Sequence, residues 1–458
     1  MKSALQIIDP ATEDLVTEIP CSDANSIREA ALRAREGFDL WRATPMTRRV
    51  EVIETFRSKL ESNLEDCAST LTRETGKPIT QSRSEIRATL DRIDFFLAET
   101  PQLIEPQIVK QEENLTETIS WDPIGVIANV SAWNFPYFIG TNVFIPAILT
   151  GNSVLYKASE YSTMTGRLMA RLLHESGVPE SVFQLIIGTG DAGSHLIEQP
   201  IDALFFTGSM RTGKSIAARL GSRMIPQTYE LGGKDPVYVC EDVDAVIAAS
   251  GTAEGVFYNA GQSCCAVERL YVHQAIYEEF VAAFVEQALN LQVGSPLEES
   301  TSLGPLARKD QIQVLLSQVD DARNRGARIL AGGHRVDCAG WFFEPTVIVD
   351  VDHTMAVMRE ESFGPIIGIQ KVSGDLEAQE LMADTEYGLT AGIYTRDTNR
   401  ARMILATLDS GSAYINCCDR VSAQLPWSGR RGSGMGVTLS RQGITSFLRP
   451  RAWHIRSS

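Results

Sequence analysis

The spacing of apolar side chains changes along this chain. Between residues 24 and 99, apolar positions recur three or four residues apart among charged ones, as at Ile53, Phe56, Leu60 and Leu64, and this spacing predicts amphipathic helices. Residues 115 to 131 instead form apolar runs around the turn sequence Trp-Asp-Pro-Ile-Gly, which is typical of strands.

From residue 126 to residue 240, short apolar runs alternate with segments of helical spacing. The runs predict strands at 126–130, 153–156, 182–187, 203–206 and 236–239. Strands that alternate with helices predict a parallel sheet with crossover helices.

The alternation resumes after residue 243, so the second half of the chain is also predicted to be α/β. A helix at about 243–260 leads to a strand at 269–273 and a helix at 276–291. Further strands are predicted at 327–331, 346–349, 366–371 and 391–394. The boundary between the halves is placed near Gly232 and Gly233.

The composition and the net charge limit the classes of protein to which this chain can belong. With 458 residues, 43% hydrophobic and 22% charged, the chain has the length of about three compact globular domains. The net charge of −16 argues against a nucleic-acid partner, because a polyanion would be repelled. The locally basic segment from Arg430 to Arg456 is interpreted as a solvated or subunit-facing edge.

Neither a secretory signal nor a membrane span is expected. The first ten residues, M-K-S-A-L-Q-I-I-D-P, lack a long apolar stretch. The apolar run at 143–149 contains Pro146 and is shorter than the ~20 residues that span a bilayer. A cytoplasmic protein is the resulting expectation.

The eight cysteines and six histidines show no spacing typical of a metal site. There is no C-x-x-C and no H-x-x-x-H, so no metal is expected. The pairs at 264–265 and 417–418 could not close ordinary disulfides without strain. The thiols are predicted to be buried or catalytic in a reducing compartment.

Two glycine-rich loops compete as a dinucleotide site. Residues 188–193 match G-x-G-x-x-G after an apolar strand, but no acidic residue follows at the end of the next strand. In the second loop, Gly208, Ser209 and Gly213 begin a helix whose free N–H groups suit a pyrophosphate. The alternatives are a structural turn for the first loop and an ordinary N-cap serine for the second.

Lys157 and Glu160 follow another predicted strand. Ligands bind at the carboxyl ends of strands in open parallel sheets. A carboxylate there can accept hydrogen bonds from both ribose hydroxyls and would repel a 2′-phosphate. The alternative is a surface pair in a loop.

Three residues are candidates for chemistry. Glu230 stands beside two glycines in E-L-G-G-K, and Cys264 stands on a turn of small residues after a helix. A reactive thiol needs thiolate stabilisation or a base, and Glu230 is the candidate base because no histidine is near in sequence. Asn134, after the strand at 126–130, could donate its amide to a developing oxyanion. Each could instead be an ordinary buried or turn residue.

Taken in order, these stretches resemble the aldehyde dehydrogenase superfamily over nearly the whole chain. The matching segments are A-W-N-F-P, K-A-S-E, F-T-G-S, E-L-G-G-K, G-Q-S-C, E-E-S-F-G-P and S-G-M-G. The short length and the K-A-S-E form are most similar to the succinate-semialdehyde-dehydrogenase-like branch. The resemblance implies a Rossmann-type nucleotide domain, an α/β catalytic domain and a small β oligomerisation element.

The resemblance implies NAD(P)-dependent oxidation of a small-molecule aldehyde to a carboxylic acid. Cys264, and not Cys265, would attack the carbonyl carbon, and the Asn134 amide and the Cys264 N–H would hold the oxyanion. Hydride would leave for the nicotinamide, and Glu230 would activate the water that hydrolyses the thioester.

The resemblance also implies a cofactor site for NAD, with NADP as the alternative. Glu160 favours NAD because a carboxylate repels a 2′-phosphate. Lys157 and Glu160 would hold the adenosine ribose, and Glu361 and Phe363 would contact the nicotinamide end. The full implied set is Trp133, Lys157, Glu160, Gly208, Ser209, Gly213, Leu231, Glu361 and Phe363.

Phe138, Trp427 and Arg420 are the candidate substrate residues. Trp427 falls where the family has an aromatic wall of the substrate tunnel. Arg420 is hypothesised to attract an aldehyde that bears a carboxylate, such as a semialdehyde, and the alternative is a salt bridge to a surface acid.

Two positions depart from the family pattern. Val143 stands where many members have a lysine, and Thr438 where many have a glutamate. Both family residues are implicated in proton relay, so a relay in this chain must use other groups or water.

The expected domains are a nucleotide-binding domain of residues 1–104 and 124–232 and a catalytic domain of residues 233–432. Residues 105–123 and 447–458 would form the oligomerisation element. Its exposed strand edge predicts a homodimer or homotetramer.

The sequence argues against two alternatives to a hydrolytic enzyme. In a CoA-acylating dehydrogenase a thiol replaces water, and Glu230 argues against that reaction because it has no need of a water-activating glutamate. A silent scaffold is disfavoured by the intact set of Cys264, Glu230 and Asn134.

Overall fold

The computed structural model describes residues 3–456. The strands are β1 (Ala4–Ile8), β2 (Leu15–Pro20), β3 (Gln107–Glu112), β4 (Leu115–Pro123), β5 (Val126–Val130), β6 (Ser153–Lys157), β7 (Phe183–Ile186), β8 (Ala203–Thr207), β9 (Gln227–Glu230), β10 (Asp235–Val239), β11 (Val267–His273), β12 (Arg328–Ala331), β13 (Thr346–Val349), β14 (Ile366–Val372), β15 (Thr390–Tyr394), β16 (Ser412–Ile415), β17 (Gly434–Met435) and β18 (Leu448–Arg456).

The helices are α1 (Ala24–Trp41), α2 (Met46–Ser62), α3 (Leu64–Thr75), α4 (Ile79–Leu103), α5 (Pro136–Leu149), α6 (Thr163–Glu175), α7 (Gly190–Glu198), α8 (Met210–Leu220), α9 (Ala245–Phe257), α10 (Tyr277–Leu289), α11 (Lys309–Asn324), α12 (Ala356–Arg359), α13 (Asp375–Ala383), α14 (Thr398–Leu405) and α15 (Ser440–Thr445). Short 3₁₀ turns occupy Tyr258–Gly261 and Arg431–Ser433.

The first large sheet has the strand order β17-β9-β8-β5-β6-β7. Its inner strands are parallel, and β17 pairs antiparallel with β9 at the edge. Alternate side chains of β5 enter different cores: Ile127 packs with α2, α4, α5 and α6, whereas Val126 and Ala128 pack with α1, α7 and α8. Since both faces are covered by helices, strands β5 to β8 are mostly apolar, which is why their sequence predicted them.

The second large sheet has the order β12-β13-β14-β11-β10-β15-β16 and is parallel except for the pair β12–β13. It is also covered on both faces, by α9 and α10 on one side and α11, α13 and α14 on the other. The predicted α/β fold with Rossmann-like parallel sheets is confirmed.

The predicted strands between residues 126 and 240 are confirmed as β5, β6, β7, β8 and β10, and those of the second half as β11 to β15. The predicted helical region at 24–99 contains α1 to α4. The helix predicted to reach residue 260 ends at Phe257 and gives way to a left-handed turn. The sequence did not predict the hairpin β1–β2, nor β9, β16 and β17.

A separate three-stranded sheet has the order β18-β4-β3. It joins the segment near residue 110 to the end of the chain, with Leu448 opposite Pro123 and Arg456 opposite Leu115. Ile108, Trp453 and Ile455 of its outer strands are about half exposed.

Among the described helices, none has both the length and the apolar character needed to cross a bilayer. Within residues 3–456, no group of three or more His, Cys, Asp and Glu side chains is arranged to hold a metal ion.

Candidate active site

The predicted site residues gather at the carboxyl edge of the first sheet. Strands β5, β6, β8 and β9 are parallel neighbours in this sheet, so their carboxyl ends share one edge. Asn134 follows β5, Lys157 ends β6, Gly208 follows β8 and Glu230 ends β9. The edge therefore brings together residues that are up to about a hundred positions apart in sequence.

The loop that carries Cys264 begins with an unusual backbone. Asn259, Ala260 and Gly261 have φ angles of 52°, 54° and 70°, so three consecutive residues are left-handed. A side chain at Gly261 would lie 2.2 Å from the carbonyl oxygen of Gly364. Non-glycine residues keep such angles only where surrounding contacts enforce them.

Those contacts come from the Asn259 side chain and main chain. Its amide nitrogen donates to the carbonyl oxygens of Asn134 and Gln262, both at 3.2 Å. Its main-chain N–H donates to the Gln81 side chain at 3.0 Å. Buried hydrogen bonds thus hold the turn in place just before Cys264.

Asn134 is tied to the same loop. Its side-chain amide donates to the Gln262 carbonyl at 3.1 Å, and its own carbonyl accepts from Lys77 at 2.7 Å. An amide group has two N–H donors, so one remains for a ligand.

A buried ion pair between Lys77 and Glu85 contacts Asn134, and no sequence motif predicted it. Both side chains are 1% exposed. Glu85 also accepts the main-chain N–H of Tyr137 at 2.9 Å, at the start of α5, and the Lys77 ammonium lies 3.8 Å from the centre of the Phe135 ring. The pair fixes the segment that follows β5.

The two adjacent cysteines differ in surroundings. Cys264 is partly exposed, whereas Cys265 is buried and its thiol donates to Asp419 at 2.9 Å. The hydrogen bond with Cys264, together with burial, raises the pKa of the Cys265 thiol well above its usual value. Cys265 therefore stays a protonated thiol, and Cys264 is the better candidate nucleophile.

Glu230 is buried at the end of β9, a strand too short and polar to be predicted. Thr438 donates a hydrogen bond to one carboxylate oxygen, and Thr207 donates to the other at 3.4 Å. Burial raises the pKa of Glu230, against the lowering effect of these hydroxyls and of the Arg92 charge. A carboxylate of raised pKa is a stronger base.

The second glycine loop lies at the start of α8. Ser209 caps the helix by accepting a hydrogen bond from the Thr212 N–H at 3.3 Å. This is the N-cap role given as the alternative in the sequence analysis. A side chain at Gly213 would lie 2.6 Å from Leu231, so glycine is required for this helix to approach β9.

Lys157 and Glu160 are paired at 3.5 Å after β6, and Lys157 is almost fully buried. The first glycine loop adjoins them: a side chain at Gly193 would lie 3.5 Å from the Lys157 side chain. The structure thus brings both glycine loops to one edge, which the sequence could not show.

The segment around Glu361 faces this edge from the second sheet. A side chain at Gly232 would collide with Glu361, and the Gly233 N–H donates to Glu361 at 3.2 Å. Burial raises the pKa of Glu361 to about 8. The Phe363 ring lies 5.6 Å from the Trp133 ring, edge to face.

The backbone at Phe363 is left-handed, with φ of 48°. Its N–H donates to Glu268 at 2.9 Å, and Glu268 pairs with buried Lys234 at 2.5 Å. Neither Glu268 nor Lys234 was predicted as a site residue, although Lys234 belongs to the E-L-G-G-K segment.

A cavity of about 520 Å³ opens beside Cys264 and Glu230. The predicted substrate residues Phe138, Trp427 and Arg420 line it. Arg420 is exposed and forms an ion pair with Glu254 at 3.2 Å, which is the alternative considered for it.

The chain matches a known protein family over nearly its whole length. The model of the aldehyde dehydrogenase family matches residues 1–453. The chain belongs to the aldehyde dehydrogenase family. It is therefore an NAD(P)-dependent aldehyde dehydrogenase, as the motifs predicted.

Curated relatives of this aldehyde dehydrogenase differ in substrate. It is 34% identical to the succinate semialdehyde dehydrogenase [NAD(P)+] Sad of Escherichia coli (strain K12), over 96% of this chain and 95% of that protein. It is 32% identical to the chloroplastic betaine aldehyde dehydrogenase of Atriplex hortensis, over 98% of this chain and 92% of that protein. The subgroup stays open between these relatives.

Among solved structures, the aldehyde dehydrogenase is similar to betaine aldehyde dehydrogenase from Staphylococcus aureus in complex with NAD+. The TM-score is 0.95 with 27% identity, covering 99% of this chain and 92% of that chain.

The two departures from the family pattern lie in different surroundings in this aldehyde dehydrogenase. Val143 is buried in the apolar core around α5. Thr438 pairs with Trp427 by main-chain hydrogen bonds of 2.8 and 2.9 Å, which places its hydroxyl on Glu230. A neutral donor thus contacts the carboxylate directly.

Replacement Thr438→Val should move the acid limb of the pH–rate profile to higher pH. The hydroxyl stabilises the charged carboxylate, so its loss raises the pKa of Glu230 further, and Glu230 is a base only when deprotonated. On the acid side we expect a loss of roughly threefold to tenfold, with recovery at alkaline pH. Steady-state kcat measured across pH tests this, and Thr438→Ser is the control that keeps the hydroxyl. Coincident valine and wild-type profiles would contradict it.

Proposed function

We propose that this enzyme oxidises an aldehyde to a carboxylic acid through a thioester on Cys264 that is hydrolysed by water activated by Glu230. The observation that carries the proposal is that Cys264 and Glu230 line one cavity while Asn134 is bonded to the loop of Cys264. A nucleophile and a base therefore face one space, and a candidate oxyanion donor is hydrogen-bonded to the loop of the nucleophile.

Each residue has a distinct part in the proposed reaction. The Cys264 thiolate attacks the carbonyl carbon, and the free N–H of the Asn134 amide stabilises the oxygen as it becomes negative. After oxidation to the thioester, Glu230 removes a proton from the attacking water, and the Cys264 thiolate leaves. Burial suits Glu230 for this step because it raises its pKa.

The edge of the first sheet fits a nicotinamide dinucleotide. Glycines at 213 and 232 leave room where any side chain would collide with Leu231 or Glu361. The start of α8 offers N–H groups for a pyrophosphate, and Trp133 and Phe363 form an aromatic pair at the nicotinamide end. When bound, the nicotinamide accepts the hydride from the substrate carbon.

We propose NAD as the preferred cofactor. Glu160 sits beside Lys157 at the end of β6, where the adenosine ribose would bind. Its carboxylate can accept hydrogen bonds from ribose hydroxyls and would repel a 2′-phosphate.

We further propose an aldehyde with a carboxylate as substrate and a homodimer or homotetramer as the assembly. The similarity to the Escherichia coli semialdehyde enzyme supports the substrate class.

The sheet β18-β4-β3 supports the proposed assembly, because it leaves two strand edges and the half-exposed Ile108, Trp453 and Ile455 at its surface. We assign residues 1–104 and 124–232 to the nucleotide domain, 233–432 to the catalytic domain, and 105–123 and 447–458 to this oligomerisation element.

A panel of aldehydes assayed with NAD and with NADP tests the proposed function. We expect reduced nicotinamide, followed at about 340 nm, to form without CoA, and kcat/KM to be roughly tenfold or more higher with NAD. Absolute dependence on CoA would replace the hydrolytic reaction by acyl transfer. A clear preference for NADP would overturn the role of Glu160.

A further inference from the structure

A buried arginine lines the cavity that holds Cys264 and Glu230. Arg92 lies on α4 and is 6% exposed. No sequence motif predicted a role for Arg92, because the helical region around it has an ordinary amphipathic pattern.

The direct contacts of Arg92 are with neutral groups. It donates to the Asn142 side-chain oxygen at 3.0 Å and to the Val421 carbonyl at 3.3 Å, and its guanidinium lies 3.9 Å from the centre of the Phe138 ring. Within residues 3–456, no carboxylate forms an ion pair with it. A guanidinium has more N–H donors than these two bonds use.

Among the other charged groups at the cavity, Arg420, Glu85 and Asp419 already have partners. Arg420 is paired with Glu254 at 3.2 Å, and Glu85 is paired with Lys77. Asp419 accepts from Ser263 at 3.1 Å and from Cys265 at 2.9 Å. Of the cations lining the cavity in the described part of the chain, Arg92 is thus the one without an acidic partner.

A buried charge with no partner is costly to keep unless a ligand supplies the opposite charge. A carboxylate matches the fork of N–H donors on a guanidinium. The same guanidinium disfavours binding of a cationic substrate. It repels a positive charge, and it already covers the face of the Phe138 ring that an ammonium group would contact.

We propose that Arg92, and not Arg420, binds the carboxylate of the substrate, so that the preferred substrate is a short aldehyde with a carboxylate at its other end. This inference rests on the proposed function, since Cys264 must receive the aldehyde end. Asn142, Val421 and Phe138 hold the guanidinium in the cavity and act as positioning residues.

The test compares succinic semialdehyde, butanal and betaine aldehyde as substrates of the wild type and of Arg92→Met. We expect the wild type to prefer succinic semialdehyde, and Arg92→Met to raise its KM about 10- to 100-fold while butanal changes less than about threefold. Arg92→Lys keeps a positive charge but loses the two parallel N–H donors. Its KM for succinic semialdehyde should lie between those of the wild type and Arg92→Met. The control is Arg87→Met, the same change at an exposed position of α4 outside the cavity.

Several results would overturn the inference. Equal losses on succinic semialdehyde and butanal would make Arg92 a residue that acts on Glu230 and not on the substrate. A comparable KM effect in Arg420→Met alone would move carboxylate recognition to the cavity mouth, and a preference of the wild type for betaine aldehyde would reject the substrate class.

A second measurement keeps the inference testable if Arg92→Met does not fold. Succinate should inhibit butanal oxidation by the wild type in competition with the aldehyde, and absence of competition would overturn the inference. Failure of the proposed function is distinguishable, since the wild type would then oxidise none of the three aldehydes.

Discussion

Cys264→Ser is expected to lower steady-state oxidation of every aldehyde by about a thousandfold or more, because a serine hydroxyl ionises far less readily than a thiol and is a much weaker nucleophile. The substitution changes one atom of a partly exposed side chain, so the fold should persist. Formation of reduced nicotinamide measures the rate, and a thermal unfolding curve confirms that the variant is folded.

The neighbouring Cys265 provides the matched control. Cys265→Ser keeps a donor for Asp419, and we expect activity within about threefold of the wild type. Labelling with iodoacetamide should modify position 264 before position 265, because Cys265 is buried. Undiminished oxidation by Cys264→Ser, or a larger loss in Cys265→Ser, would remove Cys264 from the reaction.

Glu230→Gln is expected to stop the reaction after the thioester has formed. The amide has nearly the shape of the carboxylate but cannot take a proton from water, so hydrolysis should slow by about 10²- to 10⁴-fold. A rapid-mixing experiment should show a burst of reduced nicotinamide equal to the enzyme concentration, followed by a slow phase. Intact-protein mass spectrometry should then find the acyl group on Cys264.

The control for this variant is Glu254→Gln, which changes another glutamate at the cavity that is exposed and paired with Arg420. It should turn over without a burst. Unchanged steady-state turnover of Glu230→Gln would exclude Glu230 as the base. Acceleration of the wild type by CoA would show that a thiol and not water is the natural acceptor.

The motifs predicted the residues of the site, but not the contacts that hold those residues in position. Asn134, Glu230 and Cys264 are predicted from the sequence. In the structure Glu230 and Cys264 line one cavity, and Asn134 is hydrogen-bonded to the loop that carries Cys264. Two buried ion pairs were not predicted: Lys77–Glu85, which contacts Asn134, and Lys234–Glu268, which holds the main chain at Phe363. Each is formed by partners on different elements, and one sequence carries no record of such contacts.

The same limit explains the missed elements. Strand β9 has four residues, including a glutamine, a threonine and a glutamate, and becomes a strand because β8 and β17 pair with it on either side. The turn at Asn259 and Ala260 continues a helical pattern in sequence, and only the hydrogen bonds to Asn134 and Gln81 hold it left-handed.

By itself, the sequence determined the α/β architecture and the family, because apolar periodicity and short motifs are local properties of a chain. Tertiary structure decided which charges are left without partners. Arg92 and Arg420 are the same residue type in the sequence. In the structure Arg92 is buried in the cavity and forms no ion pair, whereas Arg420 is exposed and paired with Glu254. Burial and pairing are set by contacts between distant segments, and these two quantities determine what a charged side chain can bind.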